Sequence, residues 1–542
     1  MVLRRNHKFA LGHRTDTFKI VYIDAETFYR HTFVAGKSGS GKSHWLTQFV
    51  PPVSQHQRTL VFDPNTHLAH EMLDRFIGTP LIKDCLYLSI TDSDVVPLID
   101  FLQQSIPHAH GNLELRISLA EMFTAALIVT AGAGGASAGA GFVRLKFNVE
   151  LGVRLLLETK RPLALLPHLF KFRSNILPQI LQECRDTAVK DHFTNLLSIR
   201  QEHQFYALVE STLTRLHQMF NSVVVESMMS VNGDGILVEK LLNQKRGCVI
   251  CDFGVTGTRT QTHSRLIQKL LLDSIKRVCM KRSPELAAQY PVGLFIDEAT
   301  SSGLLDLAEL EALQVMRKFG VAYCFLVQGT AGMRNQQTDV SIIDGVFENT
   351  AAKLIFGLAS DTDAIRFAKL GIGGMDFKEA KLVKENERQK LLGYETYSRT
   401  TVSTGPDGNK SFSVTPVERP ILSTEIDSQE VLYTADELFY KDAGNLLGLP
   451  TGTFRYYGPG FPGGVLLCTI PPKFVPSAIQ KRNKRRREEF IRQQLTKFPY
   501  RDIDGIQREF RELVNRYGLS SDSDMSEEKD IDVDFDPNNP FD

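Results

Sequence analysis

The stretch HTFVAGKSGSGKSHW, residues 31–45, decides most of what the sequence says about the fold. Its residues 36–43 fit the pattern G-x-x-x-x-G-K-[ST] at every position. A short apolar strand precedes the pattern and a helical stretch follows it, which is the setting in which backbone N–H groups wrap around phosphates. The sequence therefore predicts a nucleotide-binding loop between a buried strand and a helix.

Each residue type in this loop has an expected role. The glycines let the backbone approach the phosphates, Lys42 reaches the β- and γ-phosphate oxygens of ATP, and the Ser43 hydroxyl helps to hold Mg²⁺. The residues predicted to bind the nucleotide are Gly36, Lys37, Ser38, Gly39, Ser40, Gly41, Lys42, Ser43 and His44.

A second motif, LFIDEAT at residues 294–300, has an apolar run that ends in Asp297 and Glu298. Asp297 is expected to bind Mg²⁺ together with Ser43, and Glu298 to orient and deprotonate the attacking water. A Glu directly after the Asp favours ATP hydrolysis over a GTPase switch. The alternative is that both acids are solvated turn residues.

Gln328 ends the next candidate strand, in CFLVQG at residues 324–329. In a parallel sheet this position brings its amide near the γ-phosphate, where it would sense the phosphate or position water. The alternative is a surface glutamine.

Strands that alternate with helices, such as HTFVAG, RTLVFDPN and GCVICDFG, predict a doubly wound, mostly parallel α/β sheet. Pro51 and Pro52 are expected to end the helix after the loop, and Pro406-Asp407-Gly408 marks a hairpin candidate. The predicted units are a small β element (1–30), the ATPase core (31–111 and 246–380), an all-α insertion (112–245), a β-rich C-terminal part of the core (381–475), a basic helical extension (476–518) and a disordered acidic tail (519–542).

The composition of the 542 residues is that of a globular protein, with 42% hydrophobic and 23% charged residues. A net charge of zero conceals an asymmetry, because residues 522–542 contain nine acids and one lysine. The rest of the chain is therefore mildly basic, which suits a polyanionic partner.

Several features bear on the compartment. The seven cysteines show no disulfide framework, which favours a reducing environment. The N-terminus lacks an apolar signal core, and the second half of the uncharged run at residues 122–143 is almost all Gly, Ala and Ser, which gain little from lipid. We expect a cytoplasmic protein without an integral membrane segment, peripheral to a membrane only through a partner.

Five stretches together resemble the FtsK/HerA superfamily of hexameric DNA-pumping ATPases: HTFVAGKSGSGKS, TLVFDPN, FIDEA, VMRKFGVAYCFLVQ and ENTAAKLIFGLASDTDA. Within it, the likeness is to the type IV secretion coupling-protein and HerA-like branch. The resemblance implies a RecA-like fold, ATP and Mg²⁺ as ligands, DNA as partner and a homohexameric ring. The sequence Asp63-Pro64-Asn65-Thr66-His67 departs from the family's Asp-Pro-Lys-Gly-Glu.

The family also implies an arginine finger that reaches the ATP of a neighbouring subunit. Arg317, in VMRKFG, occupies the matching position after the acidic pair, and Arg366 and Arg259 are weaker candidates. An arginine at a helix end can instead cap carbonyls or stay solvated.

Two charged segments leave alternatives open. KRNKRRR, residues 481–487, contacts DNA phosphates or an acidic partner, or it forms a solvated helix face beside Glu488 and Glu489. The final DVDFDPNNPFD suits a short recognition peptide, similar to the tails of bacterial single-strand-binding proteins, or an inert solubilising tail.

The resulting hypothesis is an ATP-driven hexameric motor that pumps single- or double-stranded DNA through a central pore for conjugative or other transfer or processing. A coupling module is the second hypothesis, with a relaxase, nuclease or secretion-channel protein docked on the insertion or the tail. A viral genome-packaging ATPase and a HerA-like motor that recruits a nuclease in repair or phage defence are further alternatives. The second acid and the Gln328 strand argue against a P-loop kinase.

Overall fold

A computed structural model of the chain describes residues 7–102, 111–130, 140–230, 235–254, 260–300, 304–329, 342–370, 380–471, 477–497 and 499–517. Arg259 and the predicted acidic tail at 519–542 lie outside these described residues.

The strands alternate with helices along most of the chain. The strands are β1 (Lys8–Arg14), β2 (Ile20–Asp24), β3 (Thr32–Ala35), β4 (Arg58–Asp63), β5 (Leu86–Ser89), β6 (Val95–Pro97), β7 (Ile99–Asp100), β8 (Ile236–Leu237), β9 (Gly247–Asp252), β10 (Val292–Ile296), β11 (Val321–Val327), β12 (Ala352–Phe356), β13 (Ala380–Thr404), β14 (Lys410–Leu432), β15 (Thr453–Gly458), β16 (Phe461–Cys468) and β17 (Tyr500–Asp502).

The helices vary widely in length, and short 3₁₀ turns lie at Pro80–Asp84, Leu163–Leu165 and Arg317–Phe319. The α-helices are α1 (Ala25–Phe28), α2 (Lys42–Ser54), α3 (His67–Phe76), α4 (Leu113–Thr130), α5 (Ala140–Glu158), α6 (Leu166–Leu169), α7 (Ile176–Glu183), α8 (Thr187–Leu197), α9 (Glu202–Phe220), α10 (Val223–Met229), α11 (Val238–Leu242), α12 (Gln261–Met280), α13 (Pro284–Gln289), α14 (Leu307–Met316), α15 (Ile342–Glu348), α16 (Asp361–Leu370), α17 (Ala435–Leu447), α18 (Ser477–Leu495) and α19 (Ile503–Arg516).

One large sheet forms the centre of the fold. Within the described residues, eleven strands pair in the order β2-β1-β16-β15-β12-β3-β11-β10-β4-β9-β5. The run from β12 to β5 is parallel throughout, and β15, β16, β1 and β2 continue it in antiparallel pairs. The predicted mostly parallel, doubly wound α/β fold is confirmed.

The central strands are covered on both faces. Every residue of β3, β4, β9, β10 and β11 is buried, as expected where crossover helices pack on both sides of a parallel sheet. In β3, Phe33 and Ala35 point into one apolar core, and Val34 points into the other. The strand that leads into the loop is therefore fixed from both sides.

Helix α2 does not end at the two prolines, so the prediction for Pro51 and Pro52 is wrong. The helix continues through both to Ser54. Val50 and Val53 are fully buried in the core, and their burial offsets the backbone hydrogen bonds that proline cannot make.

The helices between residues 113 and 229 form a layer of their own beside the sheet. Strands β7 and β8 lead into and out of this helical stretch, and they pair in parallel, with Ile99 opposite Ile236. The stretch therefore leaves and rejoins the core at one point. In the part of the chain that the structure describes, no helix combines the length and apolar character needed to cross a bilayer.

A long two-stranded hairpin, β13–β14, confirms the hairpin predicted around Pro406-Asp407-Gly408. Its strands have 25 and 23 residues. One face near the tip is polar, with Ser403 and Ser411 hydroxyls 2.8 Å apart. The other face presents Val402, Phe412 and Val414, which are all more than half exposed.

Candidate nucleotide-binding site

The loop between β3 and α2 is shaped by its glycines. A Cβ on Gly36 would lie 2.6 Å from Phe356 Cβ, so no side chain fits there. Gly41 has a φ of 104° and directly precedes α2, a conformation that favours glycine. The loop is thus fixed between β12 and the helix, and the N–H groups of the first helical turn face the cleft.

Lys42, the first residue of α2, lies across this loop. Its Nζ donates hydrogen bonds to the carbonyl oxygens of Gly36 at 2.5 Å and Lys37 at 3.0 Å. The side chain is buried, and burial lowers the pKa of Lys42, an effect that the charges of Asp297 and Glu298 oppose. The ammonium group thus lies where the loop would hold a phosphate.

The acidic pair and Gln328 meet at the same edge of the sheet. Asp297 and Glu298 follow β10 directly, and Gln328 follows the neighbouring strand β11. Gln328 Nε2 donates to Glu298 Oε1 at 2.6 Å. Glu298 has a φ of 48°, an uncommon backbone conformation for a residue with a side chain, and such strain is concentrated at functional sites.

Asp63, to which the sequence motifs assign no role, ends β4 beside Asp297. It is fully buried, and its carboxylate accepts hydrogen bonds from the backbone N–H groups of Asn65 at 2.8 Å and Ala69 at 2.6 Å. Because Ala69 lies in the first turn of α3, Asp63 fixes the start of that helix. The signal was visible as an acid at a strand end in RTLVFDPN.

A cleft of about 750 Å³ opens in front of the loop, within the roughly 300–1,000 Å³ typical of small-molecule sites. All predicted site residues line it except Gly36, Lys37 and Arg317. Its far wall comes from the C-terminal part of the sheet, through Thr451, Gly452, Cys468, Thr469 and Pro471.

The C-terminal wall is tied directly to the loop. The N–H of Gly452 donates to the Ser40 carbonyl at 2.8 Å, and the N–H of Ile470 donates to Gln48 Oε1 at 3.1 Å. A Cβ on Gly41 would lie 2.9 Å from the Gly452 backbone. The two glycines therefore allow strands distant in sequence to close one side of the cleft.

The carboxylates of the cleft are crowded. Burial raises the pKa of Asp297 to about 7, and the charges of Asp63 and Glu298 add to this effect. Burial also raises the pKa of Asp63 to about 6. Converging acids of this kind suit a divalent cation, which favours their ionised forms. The residues present therefore fit the predicted Mg²⁺, with Ser43 and Asp297 as candidate ligands.

The raised pKa of Asp297 predicts a pH-dependent stability. Its ordinary value is 3.8, so between that value and about 7 the folded chain holds a proton that the unfolded chain has lost, and stability falls as pH rises through this window. We expect the melting temperature of the metal- and nucleotide-free protein to decrease from about pH 5 to pH 8. In Asp297→Asn, calorimetry should find a smaller decrease. An equal decrease in both proteins would contradict the burial of an ionisable carboxyl group.

Arg317 lies at the opposite end of the strands, just before β11, whereas the cleft lies at their carboxyl ends. The 3₁₀ turn Arg317–Phe319 follows α14, and Gly320, with a φ of 75°, leads into β11. The seven residues of β11 separate Arg317 from Gln328 by about 20 Å, given a rise of about 3.3 Å per residue. Arg317 is therefore not part of the cleft of its own chain; it lies 3.5 Å from Glu26. Arg366 forms a two-pronged ion pair with Asp344.

Comparisons with known proteins agree with the fold and the motifs. A family model described as "Type IV secretory system Conjugative DNA transfer" matches residues 179–425. The plasmid coupling protein TrwB, in complex with ADP and Mg²⁺, matches with a TM-score of 0.51 and 14% identity, over 87% of this chain and 96% of that chain. TrwB with the ATP analogue ADPNP gives the same four values.

A structure of VirB4 of Thermoanaerobacter pseudethanolicus matches with a TM-score of 0.46 and 10% identity, over 86% of this chain and 98% of that chain. No curated protein matches the sequence. The family model and the TrwB likeness confirm the resemblance to the type IV secretion coupling-protein branch and the RecA-like fold. With the complete loop motif and the acidic pair, the chain is a P-loop ATPase.

Proposed function

We propose that this ATPase is the subunit of a homohexameric ring that moves DNA, with conjugative or other DNA transfer as its setting. The observation that carries the proposal is the convergence of Lys42, Asp297, Glu298 and Gln328 on one cleft. The family-model match over residues 179–425 supports DNA as the partner.

The roles of the side chains follow from their positions. Lys42 would bind the β- and γ-phosphates, and Ser43 and Asp297 would hold Mg²⁺, whose charge would offset the negative charge of the phosphates. Glu298 orients a water molecule and accepts its proton. Gln328, in contact with Glu298 at 2.6 Å, relays the presence of the γ-phosphate to the end of β11.

The residues described around the cleft include no arginine, and this supports a ring. Positive charge from an arginine finger is a major contribution to phosphoryl transfer in related ATPases. Arg317 is exposed at the other end of the strands, where a neighbouring subunit can receive it. Each cleft is then completed by the next chain.

The ring acts in the cytoplasm, and the helical stretch at 113–229 is the surface on which a relaxase, a nuclease or a secretion-channel protein docks. This stretch leaves the core through the β7–β8 pair alone, so it presents its surface without interrupting the ATPase sheet.

Displacement assays test the proposed function. We expect the wild-type protein to displace a third strand from duplex DNA, or streptavidin from a biotinylated single strand, only with ATP and Mg²⁺. The two substrates distinguish double- from single-stranded translocation. Lys42→Ala, which cannot hold the phosphates, is the control and should displace neither. The motor hypothesis would be wrong if DNA did not stimulate ATP turnover and neither the third strand nor the streptavidin were displaced.

A further inference from the structure

Helix α18 (Ser477–Leu495) lies outside the nucleotide cleft, and one of its faces is attached to the body. Phe490 and Ile491 pack against the apolar core, and Arg487 forms a 2.5 Å ion pair with Asp74 of α3. Phe490 and Ile491 lie three and four positions after Arg487, so the three residues share one side of the helix. The opposite side of α18 therefore faces solvent in a fixed orientation.

The solvent side of α18 is strongly basic. Its members are exposed cationic side chains: Lys481, Arg482, Arg485 and Arg486. No acidic residue occurs between 477 and 487. Within the described part of the chain, these three arginines make no ion pair. Lys484, seven residues before Ile491, lies on the attached side of the helix, where it contacts exposed Glu488 at 3.9 Å. We call Lys481, Arg482, Arg485 and Arg486 the basic face.

The charge density of the basic face matches that of a nucleic acid. Its four cations fall within six consecutive residues, which span about 9 Å of helix at 1.5 Å per residue. This is one positive charge per roughly 2 Å, against one negative charge per about 1.7 Å along duplex DNA. Arginine also presents two parallel N–H donors to a phosphate.

The composition of the basic face favours a nucleic acid over an acidic protein. A protein partner needs apolar residues at the centre of its interface, whereas nucleic-acid interfaces are polar and positively charged. The exposed large apolar residue of α18 is Ile479, which is 39% exposed and precedes the basic face. Residues 481–486 contain none.

We propose that the basic face of α18 binds the phosphodiester backbone of nucleic acid, at a site separate from the nucleotide cleft. This inference rests on the proposed function, since it assigns a second contact to the DNA that the ring moves. Helix α3 connects the two sites: its His67, Leu68 and Glu71 line the cleft, and its Asp74 holds α18.

The salt dependence of DNA binding tests the proposal. The variant Arg482→Gln/Arg485→Gln/Arg486→Gln removes three cations, and glutamine keeps a good helix propensity. A matched control, Lys19→Gln/Lys240→Gln/Lys410→Gln, removes three exposed cations elsewhere and changes the net charge equally. Fluorescence anisotropy with a labelled 40-nucleotide single strand and its duplex gives affinity between 50 and 200 mM salt.

The slope of log affinity against log salt should become shallower by about 2 to 3 in the arginine variant, since each phosphate contact contributes roughly 0.7–0.9. Affinity at about 100 mM salt should fall roughly tenfold or more. The control should keep the wild-type slope. Basal ATP turnover and melting temperature should be unchanged in both variants, which shows that the ATPase core remains folded.

Two results separate the inference from the function on which it rests. If wild-type protein binds DNA and the arginine variant keeps the wild-type slope, the basic face serves an acidic protein segment or solvent, and the inference is wrong while the motor stands. If the wild-type protein itself does not bind DNA, the proposed function fails together with the inference.

Discussion

Replacing Glu298 by glutamine lowers ATP turnover about 100- to 10,000-fold and leaves ATP binding in place, the range expected when a general base is removed. Glutamine keeps the size of the side chain and the oxygen that accepts the 2.6 Å hydrogen bond from Gln328. It loses the negative charge that we propose orients the water molecule and takes its proton. The variant should therefore hold ATP without hydrolysing it.

Phosphate release measures turnover in this variant, and a fluorescent ATP analogue measures binding. Glu71→Gln is the matched control, because Glu71 lines the same cleft but belongs to α3, not to the loop or the acidic pair. It should retain near wild-type turnover. Normal turnover in Glu298→Gln would assign the proton transfer to a different group.

Replacing Arg317 by alanine lowers turnover about 1,000- to 100,000-fold, the range measured for arginine fingers. Alanine also removes the 3.5 Å contact with Glu26, but both side chains are largely exposed, so the effect on folding is small. Lys318→Ala, one residue further along the same turn, is the control and should remain active.

Mixed rings show whether Arg317 acts on a neighbour. Lys42→Ala subunits have no functional cleft but keep Arg317, and Arg317→Ala subunits have the reverse. In an equal mixture, about a quarter of the interfaces of a head-to-tail ring combine an intact cleft with an intact arginine. Partial recovery of turnover is expected. Two inactive variants that form rings together without recovery would place the role of Arg317 within its own chain.

The positions of Asp297, Glu298 and Gln328 followed from sequence because parallel strands end at a common edge. An apolar run ending in a polar side chain was enough to place each of them beside the loop, in register with β3 and β4. The same reasoning applied equally to Asp63, but its carboxylate binds backbone N–H groups of its own turn, a local contact that strand-end position does not reveal.

The C-terminal wall of the cleft could not be predicted, because it depends on pairing between strands far apart in the chain. Gly452 contacts Ser40 only because β15 pairs with β12, and β16 then pairs antiparallel with β15. Helix α2 shows a second reason why prediction failed. The low helix propensity of proline predicts that the helix ends at Pro51, but the helix continues to Ser54, where Val50 and Val53 are buried. In both cases tertiary packing outweighed the local signal.

The two edges of the hairpin β13–β14 differ in how well they can accept a further strand. Pro416 and Pro420 of β14 lie opposite Ser398 and Tyr394 of β13. Proline has no N–H group to donate, so it is tolerated in a paired strand where its nitrogen points away from the partner strand. The nitrogens of both prolines therefore point away from β13. The outer edge of β14 therefore lacks donors at two positions and is a poor template for a further strand. Strand β13 contains no proline, so we expect an incoming chain that joins the hairpin by strand addition to bind along β13.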